Sequence, residues 1–157
     1  MGKAVFILFV FFSMFSGASC IKDVGCQNKS VQSEAAAIAA YASFNGIAGT
    51  THSSGVYYQV TVPGSGVTPN PNSQIVVRYV GKLLDGTVFD PGPTAPNTTT
   101  FTLGNTVPGF QIGMQQVQKG GTIKFIIPSS LAYGCSGRST IPGNAILFFE
   151  VQLVDVL

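Results

Sequence analysis

Charge is scarce in this chain. Asp, Glu, Lys and Arg make up 9% of the 157 residues, against about 25% in an ordinary soluble domain. The eight basic residues are scattered and the net charge is only +2. That leaves no basic patch to neutralise phosphates, so nucleic acid is excluded as a partner. There is one histidine, His52, set among Thr51, Ser53 and Ser54 as in an exposed loop. No second His, and no G-x-S-x-G around any serine, supports a hydrolase triad. The six acidic residues form no metal cluster, and His52 lacks the cysteine spacing of a zinc site. Glycine-rich phosphate loops between strand and helix are missing too. An enzyme built this way uses no cofactor and no strong acid–base group. A reaction in which no bond is made or broken fits it best.

What is present is apolar. Hydrophobic residues reach 45% with 12 Phe, and the chain is nearly neutral, which excludes intrinsic disorder. Lys3, the apolar run Ala4–Phe15 and the small residues Ser16–Ser19 form the three-part layout of an export signal over residues 1–19. The run falls short of the roughly 20 apolar residues of a spanning helix. Cys20 follows at once, resembling a bacterial lipobox in which that cysteine carries the lipid anchor, although Gly17 stands where the pattern prefers Leu. Cleavage after Ala18 is the alternative. Removing residues 1–19 takes away only one charge, Lys3, so the low charge belongs to the mature domain. If Cys20 is acylated, Cys26 and Cys135 remain as a pair. In an oxidising compartment they form either a disulfide or two separate buried thiols.

Three regions follow: an export signal over 1–19, a tether and short Ala-rich helix over 20–50, and one domain over 51–157. Ile21–Ser30 reads as an irregular tether. Ser33–Phe44 reads as a helix on Ala propensity, stopped by Asn45-Gly46, with Ile38, Tyr41 and either Phe44 or Ala42 as its apolar stripe. Beyond Thr50 the pattern is β. Strands are expected at Val56–Val62, Ile75–Leu84, Thr87–Asp90, Phe101–Leu103, Thr122–Ile127 and Ala145–Val154, with a tight turn at Asp85-Gly86. Pro91–Thr100 and Leu131–Pro142 read as loops, and Pro108–Val117 as a short helix with Phe110, Met114 and Val117 on its inner face. The fold class is α+β: a curved antiparallel sheet of five to six strands wrapped on one short helix, plus the short amino-terminal helix.

Three blocks carry a family resemblance over about residues 56–156. They are VRYVGKLLDGTVFD (77–90), FTLGNTVPGFQIGMQQVQKGGTIKFIIPSSLAYG (101–134) and IPGNAILFFEVQLVDV (141–156). Together they resemble the FKBP-type peptidyl-prolyl cis–trans isomerases, and the amino-terminal segment resembles that of exported bacterial members. The resemblance implies a proline pocket. Tyr79 would stand on its wall and Phe89 would line it, with Asp90 at its polar edge. Val107 would offer its backbone N–H and Phe110 would form the floor, where Trp is usual. The Tyr133 hydroxyl would bond a substrate carbonyl, and Ile141 and Phe149 would complete the apolar wall. It also implies proline-containing polypeptide segments as substrates and macrolides as pocket ligands. Residues 91–100 lack the basic residue that pairs with this Asp in many relatives, Thr99 replaces a second aromatic, and the 131–142 loop looks one residue short. The alternative to an isomerase is a lipid-anchored, chaperone-like binding module with little turnover. A purely structural envelope domain explains neither Asp90 nor the LAYG segment.

Overall fold

The computed structural model describes residues 25–93 and 95–157. The expected export signal over 1–19 and Cys20 lie outside the described residues. Among those described, no helix is long and apolar enough to cross a membrane. Helix α1 spans Val31–Phe44. It starts two residues before the expected Ser33, because Ser30 caps it: the Ser30 hydroxyl accepts from Ser33 N–H at 3.2 Å. Strands follow at β1 (Thr50–Thr51), β2 (Tyr57–Val62), β3 (Gln74–Leu83), β4 (Val88–Asp90) and β5 (Thr99–Thr102). Then come α2 (Pro108–Met114), β6 (Thr122–Ile127) and β7 (Leu147–Val156).

The sheet has seven strands in the order β1-β2-β6-β7-β3-β4, with β5 also paired to β3, and all its pairings are antiparallel. It exceeds the expected five or six because two-residue β1 carries no alternation that a sequence can display. Alternation along β7 holds, with Leu147, Phe149, Val151 and Leu153 buried on the inner face and Glu150 and Gln152 exposed. Helix α2 packs on that face through Phe110 and Met114. Its glycines let it lie close: a Cβ on Gly109 would meet Ile127 Cγ2 at 2.1 Å, and one on Gly113 would meet the Phe125 ring at 2.8 Å.

The outer face is not bare. Ile38 and Ala42 of α1 pack with Ile47 against Ile126 and Phe148, with Tyr41 and Tyr57 at the margin. The Tyr41 and Phe148 rings lie 5.5 Å apart. The stripe on α1 therefore runs through Ala42, while Phe44, its alternative, is 91% exposed. Residues 25–30 are irregular as expected, yet they are no loose tether. Cys26 is joined to Cys135, and Gln27, Asn28 and Lys29 hydrogen-bond to the 134–144 loop. His52 is half-buried rather than exposed, its Nδ1 accepting from Ser54 N–H at 3.1 Å within the turn before β2.

Candidate functional site

Between the inner face of the sheet and the amino-terminal end of α2 lies a cleft of roughly 230 Å³. Three structural units build it. Strand β3 supplies Tyr79, because odd-numbered positions of that strand face inward. The 3₁₀ turn Leu103–Asn105 and the following Thr106 and Val107 form one rim. The Gln111 side chain fixes that rim by donating to the carbonyls of Thr106 at 2.8 Å and Gly104 at 3.2 Å. The 131–142 loop brings Tyr133 over from the other side.

Aromatic rings make the floor. Phe110 meets Phe149 edge-on at 5.2 Å and Phe125 at 5.3 Å, and Phe125 stacks on Phe149 at 5.6 Å. Phe101 closes one side, 6.1 Å from Phe110 and 6.4 Å from Tyr79. Such tilted and edge-to-face pairs suit the ring quadrupoles and fix each ring's orientation.

The polar groups are few. Tyr79 donates its hydroxyl to Asp90 Oδ2 at 2.8 Å, and Asp90 Oδ1 accepts from Gly92 N–H at 3.0 Å. The carboxylate is thus held by a phenol and a backbone amide. Burial, reinforced by the hydrogen bond to Asp90 and by its charge, holds the Tyr79 phenol far above its ordinary value. Because the folded value is raised, this stability is complete below about pH 10, the phenol's unfolded value, and is lost as pH rises through the folded one. In a tyrosinate absorbance titration, Tyr79 is therefore expected to stay protonated until the chain unfolds. Replacing Asp90 with Asn should bring its ionisation down. An early, reversible ionisation of all five tyrosines would contradict the buried pair.

Among the described residues, the Tyr133 hydroxyl and the Val107 N–H in the lining have no hydrogen-bond partner, and neither do the side chains of Asn105 and Arg138 at its margin. The structure thus brings Tyr79, Asp90, Val107, Phe110, Tyr133 and Phe149 around one cleft. Phe89 and Ile141 stand behind it. Phe89 packs edge-on against Phe149 at 5.6 Å, and both residues line an adjoining polar hollow with Asp90, Tyr133 and Arg138. Four lining residues, Phe101, Asn105, Thr106 and Arg138, are not among those expected from the sequence. Phe101 had a signal, since it alternates inward with Thr99 along β5. Arg138 had none: it lies in an irregular loop, its guanidinium 5.6 Å above the Tyr133 ring. Outside the cleft, Arg78 donates to the carbonyls of Pro96 at 2.9 Å and Asn97 at 3.0 Å.

No group of three or more metal-ligating side chains occurs among the described residues. The cleft can accept a small apolar ring, and the Tyr133 hydroxyl and Val107 N–H, with Asn105 and Arg138 at the margin, can donate to carbonyls beside it.

A family model described as FKBP-type peptidyl-prolyl cis-trans isomerase matches residues 66–154. The chain is 42% identical over 106 residues to the FKBP-type peptidyl-prolyl cis-trans isomerase FkpA of Escherichia coli strain K12, covering 68% of this chain and 39% of the relative. It is also similar to the crystal structure of FkpA from Escherichia coli, with a TM-score of 0.69 and 38% identity over 80% of this chain and 62% of that one. A peptidyl-prolyl cis-trans isomerase from Pseudomonas syringae gives a TM-score of 0.66 at 26% identity, over 83% of this chain and 98% of that one. The chain spans 39% to 44% of the length of the first curated relatives it matches.

Proposed function

The chain belongs to the FKBP-type peptidyl-prolyl cis–trans isomerases, and from that premise we propose that it turns X–Pro bonds over in other polypeptides and so assists their folding. The observation that carries this is the pairing of an aromatic-floored cleft with the unpartnered Tyr133 hydroxyl and Val107 N–H. The uncatalysed bond crosses a barrier of about 20 kcal/mol because rotation breaks amide resonance. At the top of the barrier the amide is twisted and its carbonyl no longer draws on the nitrogen lone pair. Water favours the planar, more polar amide. A proline seated against Tyr79, Phe101, Phe110 and Phe149 leaves that water behind. Tyr133 donates to a carbonyl of the bound segment and Val107 N–H to another, so the chain is held while the amide turns between them. Catalysis is then preferential binding of the twisted form, with no covalent step and no proton moved.

Two variants test the reading in a protease-coupled proline-isomerisation assay on the mature domain. Tyr133→Phe removes one hydrogen bond, and kcat/KM is expected to fall about fivefold to tenfold, or about 1–1.5 kcal/mol. Phe89→Ala is expected to lower turnover by removing the ring that backs Phe149, with the fold retained. Wild-type rates in both would sink the assignment. A second reading, a binding module with little turnover, draws on Phe110, which stands where the resemblance puts Trp and offers no indole N–H. A flat trace with peptide binding retained would select it. Macrolide pocket ligands belong to the same proposal: loss of turnover on adding one favours the enzyme.

The place of work is proposed as outside the bacterial cytoplasm, in the periplasm or on the outer membrane. The three-part segment over 1–19, Cys20 as the lipidated residue and the Cys26–Cys135 bridge support it. Mass spectrometry of the mature amino terminus tests the anchor: a diacylglyceryl adduct on Cys20 supports it, and an unmodified Ser19 start refutes it.

A further inference from the structure

The family match covers residues 66–154, yet the segment gripping the site loop lies well before it. Four consecutive residues each make one bond to that loop. Cys26 is joined to Cys135. The Gln27 carbonyl accepts from Asn144 Nδ2 at 3.1 Å. Asn28 Oδ1 accepts from Cys135 N–H at 2.8 Å, and Lys29 N–H donates to Asn144 Oδ1 at 3.2 Å. Asn144 in turn donates its own N–H to the Gly134 carbonyl at 2.7 Å. Helix α1 then adds a second anchor. The Glu34 carboxylate, 2% exposed, accepts from both the N–H and the hydroxyl of Ser129 at 2.8 Å.

Tyr133 lies between these anchors, four residues after Ser129 and two before Cys135. Its hydroxyl has no partner among the described residues, so its aim follows from the backbone of the loop together with the packing of its ring, over which the Arg138 guanidinium lies at 5.6 Å. The turn there is tight. Gly134 sits at φ +57°, and a Cβ on it would come within 2.6 Å of Asn28 Oδ1. Asn28 thus occupies the space that a side chain at 134 would take, and it accepts from the Cys135 N–H within the same turn.

We infer that residues 26–34 are a clamp that positions Tyr133 for the substrate carbonyl, and that Asn28 is the positioning residue at its centre. This deepens the isomerase reading and rests on it. Asn28 touches no substrate; it acts through the loop that carries Tyr133.

The test is a double-mutant cycle in the full mature chain, assayed with a proline tetrapeptide. Asn28→Ala is expected to lower kcat/KM about threefold to tenfold, the worth of one hydrogen bond. Its urea midpoint should barely move, because the disulfide and the Gln27 and Lys29 bonds remain. Asn28→Asp keeps the acceptor and should restore the rate to within about twofold. In a Tyr133→Phe background, Asn28→Ala should cost nothing further, since the hydroxyl it aims is already gone. Additive losses, or a wild-type rate in Asn28→Ala, would overturn the clamp. If the wild-type chain shows no turnover, the isomerase reading fails by itself and the clamp is read from the Tyr133 ring resonances. A shift in Asn28→Ala that reverts in Asn28→Asp supports it, and unchanged resonances refute it.

Discussion

Phe110→Ala is expected to lower the unfolding free energy by about 3–5 kcal/mol. The ring is 4% exposed, and it packs against Phe101, Phe125 and Phe149 with centroids 5.2 to 6.1 Å away. Removing it takes away its transfer free energy and leaves a hole. The neighbours cannot close that hole readily, because Phe125 and Phe149 are fixed on paired strands β6 and β7. For a domain of ordinary stability, about 5–15 kcal/mol, that is a large share of the total. The chain has no tryptophan, so the transition is best followed by circular dichroism in urea. Isomerase turnover should fall with stability, since the same ring is core on one side and cleft floor on the other. A loss below about 1 kcal/mol would mean that the ring is a free wall of the cleft and carries no packing load.

The second large effect concerns the bridge between Cys26 and Cys135, which are 109 residues apart in sequence. Cross-linking so long a loop removes conformational freedom from the unfolded chain, worth about 4–5 kcal/mol in the chain-entropy model and commonly about 2–5 kcal/mol in practice. Cys26→Ser with Cys135→Ser is expected to lower the urea midpoint by a corresponding amount, and reduction of the wild-type chain should do the same. Activity at low denaturant should fall much less. The hydrogen bonds from Gln27, Asn28 and Lys29 still hold the loop, and the bridge acts mainly on the unfolded state. Equal midpoints for the oxidised chain and the double variant would refute the account.

The inner face of the sheet was readable from sequence because period-two alternation marks it. Odd positions from Ile75 to Leu83 and from Leu147 to Leu153 turn inward, and Pro128 ends β6 where it stands. The same alternation is silent on the outer face, where Phe148 and Ile126 are buried because α1 lies over them. No local pattern announces what covers a strand from 80 or more residues away. The site divides in the same manner. Tyr79, Phe110 and Phe149 follow from periodicity, while Asp90, Val107 and Tyr133 came through the resemblance. Phe89 and Ile141, also expected through the resemblance, line the adjoining hollow with Asp90 and Tyr133. Arg138 and the Asn28 clamp sit in irregular backbone, where residue type says little about direction.

Strand β7 has a consequence for folding. It lies between β6 and β3, yet among the seven strands it comes last in chain order. Its register joins Gly81 to Phe149 and Phe125 to Phe149 across the middle of the sheet. Without residues 147–156 the sheet would fall into two unjoined parts, β1-β2-β6 and β3-β4-β5, each with an unpaired strand edge of the kind on which incomplete chains associate. The seventh strand is therefore the seam that makes one sheet of two parts.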